Sequence, residues 1–144
     1  MSPGPVGACS RRPVTSGPVS ELHRYIAFSI PTGWALLALW ALVSFVRNKP
    51  PGDRFWTLLA VLQVALGIQA IVGLALLLSG RQPPSNGPVW LHYAYGALFP
   101  VIVLVAAHRF ARRQEGISWV VFGVAAFVIF GLTFRALQTG LGID

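Results

Sequence analysis

Carboxylates and thiols are nearly missing from this chain. Its 144 residues include four acidic residues and one cysteine. A lone cysteine, Cys9, makes no intrachain disulfide and no thiolate metal site. The four acids are Glu21, Asp53, Glu115 and Asp144, and none falls inside a long apolar run. A proton- or ion-coupled transporter places a carboxylate near the bilayer midplane, so that class is disfavoured. No nucleophile, histidine and carboxylate set supports a hydrolase. The glycines are scattered rather than gathered in a phosphate-cradling loop. Charge as a whole is scarce. Charged residues make up 10% of the chain, against about 25% in a soluble domain.

Apolar residues fill that space. They form 55% of the sequence, and the mean hydropathy is +0.67. Four stretches, 24–47, 54–79, 89–112 and 117–140, exceed the roughly 20 residues needed to cross a bilayer. In lipid, a helix is the default because it satisfies its own backbone groups. "RNKPPGD", "SGRQPPSNGP" and "RRQEG" separate the stretches and read as turns. Short connections make sequential helices antiparallel neighbours. The expected fold is therefore all-α, an integral membrane four-helix up-down-up-down bundle spanning 21–144. Residues 1–20, "MSPGPVGACSRRPVTSGPVS", are rich in Pro, Gly and Ser and read as a disordered tail, or in part as upstream sequence.

Lys and Arg outnumber Asp and Glu by 11 to 4. The cations sit mostly between spans, where topology and anionic lipid account for them, so nucleic acid is not an expected partner. Arg47, Lys49 and Arg54 lie in the first loop and Arg109, Arg112 and Arg113 in the third, whereas the second holds only Arg81. Loops one and three are expected in the cytoplasm, with both termini outside and the chain multi-pass in the inner (plasma) membrane. Trp56, Trp90 and Trp119 sit near span ends, as interfacial aromatics do.

The two hairpins resemble each other. "ELHRYIAFSIP" and "WLHYAYGALFP" each place a proline eight residues after a Leu-His pair. Phe55-Trp56 and Ser118-Trp119 open the return helices, with Gly67 and Gly131 deeper at similar offsets. The expected architecture is two repeated hairpins about an axis along the membrane normal. His23 and His92 then face each other near the outer surface. Two facing imidazoles are a fitting axial pair for haem iron, and four-helix bundles build such sites. Ala27 and Gly96, one turn below, are small enough to leave room for a macrocycle. Arg135, with Arg24 or Arg81, offers guanidinium partners for propionates, and Tyr93 and Tyr95 offer hydroxyls. The plainer alternatives remain open: interfacial anchoring for the histidines and snorkelling for Arg135. His108 lies sixteen residues after His92, about 24 Å along the helix, and reads as an interface residue. Gln63 and Gln69 read as interhelical hydrogen-bond glue or as quinone contacts. Pro31 and Pro100 are expected to kink their helices.

"ELHR", "LLAVLQVALGIQAIVGLALLLSG" and "WLHYAYGALFPVIVLVAAHR" resemble one half of heme A synthase, over about residues 20–140. The resemblance implies a haem-b-type four-helix bundle with His23 and His92 as the axial pair. That family joins two such halves in eight spans and places a glutamate three residues before its first histidine. Here Glu21 precedes His23 by two, and one half is present. The ligands and bundle are implied; the reaction is not. The broader likeness is to small bis-histidine membrane cytochromes b. The expected function is electron transfer with one haem b, metal ligands His23 and His92, and further contacts from Arg135, Arg24, Arg81, Tyr93 and Gly96. Partners are the lipid bilayer, a quinol and a larger respiratory or photosynthetic complex. The alternatives are a cofactor-free accessory subunit or assembly factor of a larger membrane complex, and an enzyme of haem modification completed by a partner half.

Overall fold

A computed structural model describes residues 18–80 and 88–143. All regular structure among them is helical. Helix α1 runs Pro18–Val46 and α2 runs Asp53–Leu78. The third span comprises α3 (Val89–Tyr93), a π-helical segment Ala94–Leu98 and α4 (Phe99–Ala111). A 3₁₀ turn, Glu115–Ile117, leads into α5 (Ser118–Leu141). Four of these spans, Glu21–Val46, Asp53–Leu78, Val89–Ala111 and Ser118–Leu141, are long and apolar enough to cross a membrane. The α1 helix begins at Pro18, where a proline at the first helical position loses no hydrogen bond.

The helix ends follow from local chemistry. Asn48, Gly80 and Gly142 each take a positive φ just beyond a helix. In that left-handed turn the chain folds back and the last carbonyls find donors: Lys49 N–H reaches Ser44 O at 3.1 Å, and Ile143 N–H reaches Gln138 O at 3.0 Å. Glycine adopts this geometry freely and asparagine tolerates it.

Helix α1 stays unbroken through Pro31, whereas the third span re-registers before Pro100. Phe99 N–H bonds Ala94 O, a π-type pairing five residues apart. Proline has no N–H to give and crowds the carbonyl four residues earlier. A π turn upstream is one way to absorb that misfit, and such turns are frequent at functional sites.

The core lies between α1 and α5, flanked by α2 and the third span. Trp34, Leu37, Phe55 and Ile129 are almost fully enclosed. Helices α1 and α5 touch where Gly123 meets Ala41; a Cβ on Gly123 would fall 2.5 Å from the Ala41 Cβ. Such close approach substitutes for the hydrophobic force that lipid cannot supply between helices. The most apolar window of α2 is only 11% buried, as is that of the third span. Apart from the row Phe55, Leu59, Leu62 and Leu66 on α2, most of their large apolar side chains therefore face outward, as a lipid-facing surface requires.

Edge-to-face aromatic contacts tie one end together. Trp40 meets Phe55 at 6.2 Å, Phe55 meets Trp56 at 5.4 Å, and Trp56 meets Phe122 at 5.8 Å between ring centres. Each such pair contributes about 0.5–1.5 kcal/mol beyond its area. Trp56 thus joins α2 to α5, besides the interfacial position expected from sequence.

Candidate functional site

His23 and His92 meet. Their ring centres lie 6.4 Å apart with the planes inclined by 59°. The residues are 69 positions apart in sequence, and helix packing alone brings them together. Each emerges near the start of its span, in α1 and α3, and both are part-buried.

His92 is held firmly. Its Nδ1 lies 2.9 Å from the Ala136 carbonyl oxygen on α5. A carbonyl only accepts, so Nδ1 carries the hydrogen and Nε2 keeps its lone pair. Thr139 Oγ1 sits 3.4 Å from the same Nδ1 and donates to Ala136 O at 2.9 Å. Gly140 makes the space: a Cβ there would come within 2.8 Å of His92 Cε1. The Tyr93 ring meets His92 edge-on at 5.5 Å. A backbone carbonyl on one imidazole nitrogen is the usual device that presents the other nitrogen to a metal.

His23 is held differently. The Gln69 amide donates to the His23 carbonyl at 3.2 Å and lies 3.4 Å from its Nε2. Gly73 backs the ring, with its would-be Cβ 3.5 Å from His23 Cε1. His23 Nδ1 and Gln69 Oε1 are buried without a hydrogen-bond partner. An unpaired buried polar atom costs about 1–3 kcal/mol. Trp34 Nε1 is buried in the same way.

The 6.4 Å between ring centres is short enough for both rings to reach one metal ion. With metal–nitrogen bonds of about 2.0 Å, two imidazoles bound on opposite sides of one ion hold their ring centres about 6.5 Å apart. Among the described residues no group of three or more His, Cys, Asp or Glu converges. His23 and His92 are the two side chains that could offer nitrogen donors together at this place.

No family model, curated protein or solved structure matches this chain. The likeness to heme A synthase rests on the quoted residues alone.

The other expected site residues fall unevenly. Arg24 and Arg135 are exposed, and Arg135 Nη1 donates to Gln138 Oε1 of its own helix at 3.5 Å. Neither arginine contacts a histidine among the described residues. Arg81 lies outside the described residues. Gly96 faces Ala136 on α5, where a would-be Cβ would make an ordinary 3.5 Å contact with the alanine Cβ. Sequence reasoning missed Ala136, Thr139 and Gly140. Their signal was three small residues on one face of the last helical turns, spaced three and four apart. Gln69 was expected as interhelical glue, and it does bond His23. Gln63, also in the middle turns of α2, behaves alike, with its amide 3.3 Å from His108 Nε2. His108 also packs its ring against Phe122 at 5.0 Å.

Proposed function

We propose that the chain is a membrane cytochrome b: an up-down-up-down bundle of two hairpins holding one haem between His23 and His92. The observation that carries this is the 6.4 Å ring separation of two histidines, one with its Nε2 left free by the Ala136 carbonyl. The antiparallel arrangement is supported by three contacts between opposite helix ends: His23 with Gly73, His92 with Gly140, and Ala41 with Gly123. The first two also support the repeat, since each histidine is backed by a glycine of its return helix.

A bound haem supplies one-electron chemistry. The residues' own tasks are separate from it. His92 enters with its tautomer set, and His23 must leave the Gln69 amide to present Nε2. Arg24 and Arg135 stand at the same end of the bundle as candidates for the propionates, and Arg81 remains a candidate from sequence alone. If His23 and His92 both bound the metal, the protein would leave oxygen no place on it. The chain then passes single electrons between a quinol and a larger redox complex, with the histidine end and both termini outside. His23→Ala and His92→Ala each test this. Loss of haem from both purified variants is expected; full haem content in both would overturn the assignment.

A second reading, a cofactor-free accessory subunit, is favoured by the outward apolar faces of α2 and the third span. It predicts that both histidine variants leave the protein unchanged.

A further inference from the structure

A groove of about 630 Å³ runs between α1 and α5, lined among others by Ala38, Leu42 and Phe45 of α1 and Trp119, Val124 and Phe127 of α5. It lies far from the histidines and plays no part in the haem reading. Its length is informative. The lining runs from Ala35 to Phe45 on α1 and from Trp119 to Phe130 on α5, which at 1.5 Å per residue is about 15 Å. That is one leaflet of a hydrocarbon core about 30 Å thick. The volume falls in the range of small-molecule sites, about 300–1,000 Å³.

The groove ends at the charged end of the bundle. The lining residue Phe45 is two positions from Arg47, and Trp119 opens the helix that follows the third loop. Arg47, Lys49, Arg54, Arg109, Arg112 and Arg113 cluster in these two loops against only Asp53 and Glu115. Contacts of Trp56 and His108 with Phe122 place both loops at the same end. An apolar slot one leaflet deep, mouthed by an excess of cations, suits an anionic glycerophospholipid with a chain in the groove and its phosphate at the loops.

We propose that this face is a binding site for an anionic phospholipid. The cations select the headgroup and the groove holds the chain. A second copy of the chain is the weaker occupant, since it would bring its own six cations against these.

The test uses the full chain in mild detergent, offered equal phosphatidylglycerol and phosphatidylcholine of identical acyl chains, with retained lipid counted by native mass spectrometry. About a tenfold preference for phosphatidylglycerol is expected, from one to two headgroup–cation contacts. Equal retention of the two lipids would overturn the proposal, as would retained dimers that exclude both. Two variants separate slot from mouth. Val124→Trp, at an exposed lining position, fills the slot and should lower retention of both lipids at least fivefold. Arg47→Gln with Lys49→Gln should abolish the preference. If Val124→Trp retains lipid as the parent does, the groove is not the site. The parent comparison decides the matter even if a variant does not fold.

Discussion

Gly140→Ala adds one methyl group at the place where the candidate site is tightest. The new Cβ would stand 2.8 Å from His92 Cε1 and 3.2 Å from Nδ1. The first distance is below any real carbon contact, so the ring or α5 must move. A ring free to rotate would yield cheaply, but this one is tethered at 2.9 Å to the Ala136 carbonyl. A shift of several tenths of an ångström stretches that bond, which contributes about 0.5–1.5 kcal/mol. It also shifts the ring relative to His23. Loss of a supporting contact behind a metal-binding histidine costs about 10–100-fold in affinity. Haem titration into the apo-protein in detergent, followed by its absorption, should show that weakening for Gly140→Ala. Gly131→Ala is the control. Nothing lies within 4 Å of its would-be Cβ, and alanine is a better helix former than glycine by up to about 1 kcal/mol. It should bind haem as the parent does and unfold no earlier. Equal haem affinity in Gly140→Ala and the parent would refute the tether.

Gly123→Val should destabilise the fold rather than the site, because its side chain would enter Ala41; a loss of about 1–3 kcal/mol, read as earlier thermal unfolding in detergent, is expected, while Gly67→Ala should be neutral. Gln69→Leu removes the amide that meets His23 and an unpaired buried carbonyl together. Haem should be retained and stability should change by no more than about 1 kcal/mol; loss of haem would make Gln69 part of the ligand geometry. Thr139→Val leaves the Ala136 carbonyl to His92 alone, so haem affinity should stay within about threefold of the parent, measured by the same titration.

The spans were legible in the sequence because length and hydropathy identify a bilayer-crossing helix directly. Their observed limits fall within about six residues of expectation, with the largest gap at Pro18. Pairing His23 with His92 was legible through the repeated Leu-His and proline. Side-chain direction was not. Helices that are apolar on every face carry no stripe to separate lipid from interior, so "RALQTGLG" shows a face of small residues but neither Arg135 as outward nor a histidine as what the small face meets. The partner of His108 was equally hidden, since Gln63 lies 45 positions away and only packing joins them. The π segment was invisible for another reason. Pro31 and Pro100 are alike in sequence, yet α1 runs on through the first and the third span re-registers before the second.

The central claim is that His23 and His92 bind one haem together. The direct measurement is a dithionite-reduced minus air-oxidised absorption spectrum of the purified full chain in mild detergent, with haem counted per chain. Sharp low-spin b-type bands at one haem per chain, lost in both histidine-to-alanine variants, are predicted. A flat spectrum after expression and reconstitution with added haem would contradict it.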